Sequence, residues 1–280
     1  LNRTYLNTFG IYGSARHTAT AMTITSDATS AAGSNSNNKI YTNLISNVNF
    51  GIALIGSGIS AAIDSGNDIG GTIAGTGNSI TNWGGGIAPS GYITLTGNNY
   101  GIFSYQQIND NISFNTITSA ALTSAVVEGG ILKNYLLTGQ PTGTITSTIN
   151  NNTIQVTNNP TNATNGGILG INNLGLTPLL STATINISNN TVQNCVMGGA
   201  TSTTNGLTAI TNSALPGTLN MTGNSVLNNS ITATTATTGQ FQGISNSGAA
   251  STINLNSNII RGTVINTNAA YSGSFFGVVN

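Results

Sequence analysis

A nine-residue pattern that returns at fixed spacing constrains the fold of this 280-residue chain more than any other feature. TINISNNTV at residues 184–192 is followed by TLNMTGNSV at 218–226 and TINLNSNII at 252–260. Relative to the asparagine at the seventh position, apolar residues stand five and three positions before it and two positions after it. This alternation is typical of strands with one buried face, and asparagine tolerates the left-handed backbone of a corner. The predicted unit is a strand, an asparagine corner and a second strand.

Further asparagines with the same apolar neighbours extend the array towards the N-terminus. From the first to the last copy, the intervals are 40, 20, 17, 37, 38, 34 and 34 residues. A fixed period of this length predicts a solenoid or another repeat array. The short intervals around Asn98 leave open whether it marks a half-coil or two short coils. The aligned corner residues are Asn38, Asn78, Asn98, Asn115, Asn152, Asn190, Asn224 and Asn258.

Each period also carries a glycine followed by an apolar residue. Three short strands per turn, two joined by a tight corner and the third reached through a longer loop, predict an all-β parallel β-helix (β-solenoid) of about 7 coils with a period of 34–40 residues. A β-propeller is the alternative, but it requires four antiparallel strands per blade, and only 6% of this chain is aromatic. The glycine landmarks are Gly51-Ile52, Gly86-Ile87, Gly130-Ile131, Gly167-Ile168, Gly206-Leu207, Gly243-Ile244 and Gly277-Val278.

The register of the repeat predicts which side chains face inward and which face outward. We expect the corner asparagines to form a column at about the 4.7–4.9 Å spacing of neighbouring strands. The residues predicted to be buried are Ile185, Ile187, Val192, Leu219, Met221, Val226, Ile253, Leu255 and Ile260. The residues predicted to form outward polar ladders are Thr72, Thr146, Thr184, Thr218 and Thr252, together with Asn186, Asn220 and Asn254.

Composition narrows the classes of function. Only 4% of residues are charged, the formal net charge is zero and 38% of residues are hydrophobic. A neutral chain lacks the basic stripe that nucleic acids require and the positive charge that draws proteins to anionic membranes. No apolar run approaches the roughly 20 residues that span a bilayer. The expected partners therefore include neither nucleic acid nor the membrane interior.

The pattern divides the chain into two parts. Residues 1–37 are predicted to form an irregular or cap-like segment, with a strand-like stretch at 21–25, and residues 38–280 form the repeat array. The last coil shows no amphipathic capping helix, and an uncapped solenoid end presents unpaired strand edges. We therefore expect the array to continue, through further coils of a longer chain or through end-to-end contact with another copy.

Candidate reactive residues are few. Cys195 is the one cysteine, which makes an intramolecular disulfide or a cysteine zinc cluster impossible and is typical of a buried small apolar residue. The one histidine, in Arg16-His17, has no neighbouring nucleophile motif. We interpret it as a surface residue.

Two groups of charged residues remain. Asp64 and Asp68 flank Asn67 and could supply oxygen ligands to Ca²⁺, although a turn explains the same residues. Asp110, Glu128 and Lys133 fall within one predicted coil, and paired carboxylates are what glycosidases use. Neither group has a spacing that specifies a site. The sequence therefore predicts no catalytic, cofactor-binding or metal-binding residue and no cofactor.

The Asn-x-Ile corners after alternating apolar strands resemble the right-handed parallel β-helix repeat proteins of the pectate-lyase-like superfamily, over residues 38–280. That resemblance implies either polysaccharide lyases and hydrolases or non-catalytic surface proteins such as adhesins. Enzymatic members place acidic residues and a basic residue on one exposed sheet. Here the ladder positions hold threonine and asparagine instead, which favours the non-catalytic type.

The prediction is therefore a non-enzymatic extracellular β-solenoid, a rod-like segment of a surface adhesin, stalk or filament. Two alternatives remain: a carbohydrate-active β-helix enzyme, and a solenoid that binds glycans or ice through its threonine and asparagine ladder.

Overall fold

The fold is described from a computed structural model of the chain. The structure describes residues 2–5, 8–14, 28–86, 97–135, 139, 141–161, 166–175, 182–199, 206–233, 239–265 and 271–280. The predicted strand-like stretch at 21–25 lies outside these residues.

Nearly all regular structure in the described residues is β-strand. The one helical element there is a short 3₁₀ turn at Ala31–Gly33, and no helix in this part of the chain is long and apolar enough to cross a membrane. The strands in chain order are β1 Phe9–Ser14, β2 Lys39–Ile40, β3 Leu44–Ser46, β4 Phe50–Ile55, β5 Asp64–Ser65, β6 Asp68–Ile69, β7 Ser79–Trp83, β8 Asn99–Tyr105, β9 Gln107–Ile108, β10 Asn111–Ser113, β11 Thr116–Leu122, β12 Glu128–Asn134, β13 Thr146–Asn150, β14 Thr153–Asn158, β15 Ile168–Leu174, β16 Thr184–Ser188, β17 Thr191–Gln193, β18 Val196–Gly199, β19 Leu207–Asn212, β20 Thr218–Thr222, β21 Ser225–Leu227, β22 Ser230–Ala233, β23 Phe241–Asn246, β24 Thr252–Asn256, β25 Ile259–Arg261, β26 Val264–Ile265 and β27 Phe275–Val279.

All of these strands except β5 and β9, which pair with each other, build three long parallel sheets that run along one axis. Sheet 1 has the order β1-β4-β8-β12-β15-β19-β23-β27, and sheet 2 has the order β2-β6-β10-β13-β16-β20-β24. Sheet 3 has the order β25-β21-β17-β14-β11-β7-β3, with β18, β22 and β26 attached beside it. A coil takes one strand from sheet 2, then sheet 3, then sheet 1. The predicted all-β parallel β-solenoid is confirmed.

The coils are not equally regular. The five coils that begin with β10, β13, β16, β20 and β24 have ordered strands on all three faces. In the two coils before them, the sheet 2 strands β2 and β6 have two residues each, so the predicted number of about seven slightly exceeds the regular turns. Strand β1, within the segment predicted to be irregular, pairs in parallel with β4 and extends sheet 1. The division at residue 37 remains a prediction.

An interior column of asparagines joins the coils at the corner between sheets 2 and 3. In each step, the backbone N–H and the side-chain amide of one asparagine donate to the side-chain oxygen of the next. Between Asn152 and Asn190 these distances are 3.1 and 3.0 Å. The second N–H of Asn190 reaches the carbonyl of Ile149 in the preceding coil at 2.9 Å. The predicted column is thus confirmed, and its members are Asn43, Asn78, Asn115, Asn152, Asn190, Asn224 and Asn258.

The predicted corner positions need three corrections. Asn38 donates to Asn67 at the entrance to sheet 2, so Asn43 occupies the column in that coil. Asn98 directly precedes β8 of sheet 1 and marks neither a half-coil nor an extra coil. The left-handed residue is the one before the column asparagine, as with Asn151 (φ 53°) and Asn189 (φ 54°). The column asparagine serves as the hydrogen-bond partner and its predecessor makes the turn.

The glycine landmarks are partly misplaced. Parallel register aligns Ile52, Ile102, Ile131, Ile171 and Ile210 along sheet 1. The aligned landmark in the second coil is therefore Gly101-Ile102 rather than Gly86-Ile87. Two later landmarks are displaced by three residues: the aligned pairs are Gly170-Ile171 instead of Gly167-Ile168, and Ala209-Ile210 instead of Gly206-Leu207. Glycine recurs at this position because the opposite sheet crowds it.

The predicted inward residues form the main core. Ile185, Ile187, Val192, Leu219, Met221 and Val226 are buried, whereas Ile253, Leu255 and Ile260 of the last coil are half-buried. The last coil has a coil on one side only, which accounts for the difference. Thr184 and Thr218 are half-exposed and Thr252 is exposed, as the register predicts. Thr72 does not belong to this ladder, because it lies in the loop between β6 and β7.

Candidate functional site

The three charged residues predicted to share one coil separate into two buried sites. Asp110 lies just before β10, and Lys133 lies in β12. The Lys133 Nζ is 2.8 Å from Asp110 Oδ1, and the two side chains are 1% and 3% exposed. Glu128, at the start of β12, faces different neighbours. The three residues that the sequence places in one coil therefore form one ion pair and one separate carboxyl site.

Hydrogen bonds surround the ion pair. Lys133 Nζ donates to the carbonyl oxygen of Gln107 at 2.6 Å. Ser147 Oγ donates to Asp110 Oδ1 at 2.6 Å, and Ser104 Oγ donates to Oδ2 at 3.1 Å. The Tyr135 ring lies 4.2 Å from Lys133 Nζ. Both charges are thus held in a buried polar pocket within the solenoid.

The Asp110–Lys133 pair interrupts rows that are neutral in the following coils. Lys133 aligns with Asn173, which in turn aligns with Asn212. Asn173 donates to Asn212 at 2.6 Å, so the row continues as an amide ladder. Burial lowers the pKa of Lys133, and the neighbouring Asp110 charge opposes that shift. Neutral residues suffice at this position elsewhere, which makes the ion pair a local feature.

Glu128 ends a second buried chain of amides. Asn49 Nδ2 donates to Asn99 Oδ1 at 2.8 Å, and Asn99 Nδ2 donates to Glu128 Oε1 at 2.8 Å. The backbone N–H of Gly85 also donates to Oε1, at 3.2 Å. Complete burial raises the pKa of Glu128 to about 7, although these hydrogen bonds and the nearby Arg3 charge lower it in part. Burial therefore favours the neutral acid form of Glu128.

Two small cavities open on the surface. One of about 210 Å³ is lined by Arg3, Thr4, Gly85, Ala121, Leu122, Thr123 and Ser124, close to the Glu128 site. The other, of about 230 Å³, lies at the start of the sheet 1 strands and is lined by Val127, Gly167, Ile168, Leu169, Gly206, Thr208, Gln240 and Gln242. Both are below the roughly 300 Å³ typical of small-molecule pockets.

The pair considered as a Ca²⁺ site is occupied by protein donors. Asp64 accepts from the backbone N–H of Asn35 at 2.7 Å and from Gln107 Nε2 at 3.0 Å. Asp68 accepts from Tyr41 Oη and Asn111 Nδ2, and the Tyr41 contact raises the pKa of that phenol to about 12. Across the described ranges, no group of three or more His, Cys, Asp or Glu side chains could hold a metal ion.

Cys195, the one remaining candidate among the described residues, offers no reactive thiolate. Cys195 is fully buried, and its Sγ accepts from the backbone N–H of Val156 at 3.3 Å. Burial raises the pKa of this thiol to about 12, so it stays protonated at neutral pH. The buried interpretation of Cys195 is confirmed. Arg16 and His17 lie outside the described residues.

The outer face of sheet 2 presents the predicted polar ladders in register. Thr146, Thr184, Thr218 and Thr252 align across four neighbouring strands. In the adjacent row, Asn254 Nδ2 donates to Asn220 Oδ1 at 2.7 Å, and Asn220 Nδ2 donates to Asn186 Oδ1 at 2.8 Å. The result is a regular uncharged surface of hydroxyl and amide groups.

Sequence reasoning missed an aromatic layer on the outer face of sheet 1. The rings of Phe9 and Phe50 stack at 5.3 Å, and those of Phe103 and Tyr105 stack at 5.7 Å. Phe50, Phe103 and Tyr105 are almost fully buried in a cluster separate from the main core. The signal was present in FGIALI and YGIFSY, where apolar residues occupy both faces of a strand. Near-continuous apolar runs are typical of parallel strands covered on both sides.

Comparison of the chain with models of protein families, with curated proteins and with solved structures finds no match. The parallel β-solenoid fold stands on the geometry described above. Any more specific relationship, including the pectate-lyase-like resemblance, rests on the corner motif alone.

Proposed function

We propose that this chain is a non-enzymatic structural β-solenoid, a rod-like segment of an extracellular or cell-surface adhesin, stalk or filament of the pectate-lyase-like type. The observation that carries the proposal is the exposed apolar face of the coil formed by β24 to β27. Ile259, Val264, Phe275, Phe276 and Val278 there are 39–53% exposed. Strands β24 to β27 each have a parallel neighbour on one side only.

Such an end face favours a further coil. Unpaired N–H and C=O groups on strand edges template additional strands, and exposed apolar side chains gain free energy by burial at about 25 cal/mol per Å². The occupant is a coil of the same chemistry, from the same polypeptide or from another copy joined end to end. A net charge of zero leaves no long-range repulsion between copies.

The burial of the charged residues supports a non-catalytic role. A general acid or base must reach its substrate within hydrogen-bond distance, but Asp110 is 4% exposed and Glu128 is fully buried. Asp110 is also neutralised by Lys133. The rival β-helix lyase or hydrolase would need a different set of acids, and the exposed sheet 2 ladder carries threonine and asparagine.

Assembly of the purified chain tests the proposal. Electron microscopy and sedimentation at rising concentration are expected to show end-to-end particles. The eight strands of sheet 1, spaced about 4.7–4.9 Å apart, give an axial repeat of roughly 35–40 Å. Val264→Lys and Val278→Lys should each reduce assembly, because they place a charge on the end face.

Ile73→Lys is the matched control, since Ile73 is 65% exposed but lies in a loop of the second coil. The control should assemble like the unmodified chain. A monodisperse monomer at all concentrations, together with an encoding gene that specifies no further coil, would overturn the proposal.

A glycan-binding or ice-binding surface is the second candidate function. The observation that favours it is the uninterrupted threonine column of sheet 2, which presents one hydroxyl per coil over four coils. Thr184→Tyr with Thr218→Tyr would disrupt that surface without touching the end face. Loss of binding to a glycan panel, or of ice recrystallisation inhibition, would support this function, whereas absence of both activities in the unmodified chain would exclude it.

A further inference from the structure

The Asp110–Lys133 site has the arrangement that a covalent amide bond between the two side chains requires. The amine nitrogen and a carboxyl oxygen are 2.8 Å apart. The carboxyl carbon is one bond beyond that oxygen. Reactive groups held in contact inside a rigid structure react with high effective molarity. Ser104, Gln107 and Ser147 all contact the pair and hold this geometry.

Burial favours the neutral, reactive form of the Lys133 amine. Lys133 and Asp110 are buried between neighbouring coils. An unreacted ion pair there carries a desolvation cost. Burial lowers the pKa of Lys133, which favours the free amine. A desolvated lysine amine is a competent nucleophile. Proton transfer from the ammonium to the carboxylate within the pair yields that amine and a neutral acid.

Two hydroxyls are placed where negative charge would develop. Ser147 Oγ donates to one carboxyl oxygen at 2.6 Å, and Ser104 Oγ donates to the other at 3.1 Å. Fixed donors of this kind stabilise the oxyanion of a tetrahedral intermediate. Gln107 contributes a backbone carbonyl 2.6 Å from Lys133 Nζ. It orients the nitrogen before the reaction and can accept the N–H of the amide after it.

We propose that Lys133 and Asp110 condense to an intramolecular isopeptide bond that closes this coil. The Lys133 nitrogen attacks Asp110 Cγ and forms the new C–N bond. One Cγ–O bond then breaks, and that oxygen leaves as water with two protons from the pair. No oxidant, reductant or cofactor takes part. The product is a neutral amide whose N–H faces Gln107 and whose oxygen faces a serine hydroxyl.

Such a bond would lock the connection between sheets 1 and 2. Residue 110 precedes β10, and residue 133 lies in β12 of the same coil, so the bond closes a loop that contains both β11 and its corner asparagine. A cross-link restricts the unfolded chain and stabilises the folded one. The inference does not depend on the proposed structural role, because the bond can form in any protein with this geometry.

Intact mass under denaturing conditions tests the proposal on the full chain. The folded protein, after incubation at neutral pH, is expected to be lighter than its sequence mass by one water molecule. Trypsin should fail to cleave after Lys133, and chymotryptic cleavage after Phe114, which lies between the two residues, should leave the pieces that contain Asp110 and Lys133 joined. A full sequence mass in protein verified to be folded would overturn the proposal, and so would a water loss that maps to another residue.

Variants separate covalent chemistry from folding. The double variant Asp110→Ser with Lys133→Asn introduces the residues that the next coil carries at the aligned positions, Ser147 and Asn173, so it is expected to fold and to keep its full sequence mass. Lys39→Met removes the other lysine, which is exposed, and should retain the cross-link.

A rate measurement distinguishes the role of the serine donor. Removing one oxyanion donor slows enzymes by about 10²–10³, so Ser147→Ala should slow the appearance of the lighter species by at least about tenfold. Thr148→Ala, a change at the neighbouring position, serves as the control. Equal rates in the two variants would overturn the assigned role of Ser147 in the reaction.

Discussion

Ile154 of sheet 3 occupies the space that a side chain on Gly130 of sheet 1 would need. A Cβ added at Gly130 would lie 2.5 Å from Ile154 Cγ2 and 2.5 Å from the carbonyl oxygen of Gly170. The same opposition joins Gly170 to Val192 and Gly243 to Ile260. The glycine landmark and the apolar residue after the asparagine corner are thus two halves of one contact across the core.

This contact predicts an asymmetry between two glycines in one column. Gly130→Ala should destabilise the fold by about 1–3 kcal/mol, as overpacking does. Gly277→Ala is the matched control, because no atom lies within 4 Å of its Cβ position in the last coil. Urea unfolding should therefore shift its midpoint for the first variant and hardly at all for the second. Equal shifts would contradict the packing argument.

The core position of Ile187 predicts a large cavity cost. Ile187 is fully buried and aligns with Met221, which aligns with the half-buried Leu255. Ile187→Ala should lower the free energy of unfolding by about 2–5 kcal/mol. Leu255→Ala should cost less, because its side chain already contacts solvent. Thermal or chemical denaturation measures both values, and a neutral Ile187→Ala would contradict the assigned inner face.

Substitution of an interior asparagine of the column should lower the free energy of unfolding more than substitution of a terminal one. Asn190→Ala removes the acceptor of two Asn152 donors, and a buried unpaired donor costs about 1–3 kcal/mol. Asn258→Ala removes the acceptor of two Asn224 donors, but this site is half-exposed and water can replace the lost oxygen. Unfolding experiments should rank Asn190→Ala as the more destabilising change. The reverse order would contradict the role of the column.

Glu128 predicts that stability falls as pH rises through neutrality. Its pKa is about 7 when folded, above the ordinary 4.5, so the neutral acid is favoured in the folded state. Its contribution is complete below about pH 4.5 and is lost as pH rises through about 7. At 1.36 kcal/mol per pKa unit, the full effect is on the order of 3 kcal/mol.

Glu128→Gln tests this linkage. Glutamine keeps an oxygen for Asn99 and has no titrating proton, so the variant should lack the decline between about pH 4.5 and pH 7. The difference between the two pH profiles isolates Glu128 from the other carboxyls. Parallel profiles would refute the assignment.

The absence of catalysis is the prediction that bears on function. We expect no turnover on acidic or neutral polysaccharides, with or without Ca²⁺, because the buried carboxyls cannot contact a substrate. Reducing-sugar and unsaturated-product assays measure it. Turnover that Asp110→Ala or Glu128→Ala abolishes, in variants that still fold, would favour the enzyme instead.

The sequence predicts the features that recur in every coil, and it predicts little about features that occur in one coil alone. Asn190 and Asn224 lie 34 residues apart in identical surroundings, so their column and the inward face of Ile187 follow from register. Asn38 was misassigned because asparagine occurs at all three corners and the early coils have shortened strands. The Asp110–Lys133 contact could not be predicted. The loops between strands vary in length, so the sequence separation of two residues does not show whether they are in contact.

The asparagine column has a direction. Asn152 donates to Asn190, Asn190 to Asn224, and Asn224 to Asn258. In every one of these steps the donor lies in one coil and the acceptor oxygen lies in the coil that follows it in sequence. The donors of each column asparagine therefore find their acceptor only when the next coil has been synthesised and has folded. A chain built in this way can fold in the order in which a ribosome delivers it, each coil completing the one before.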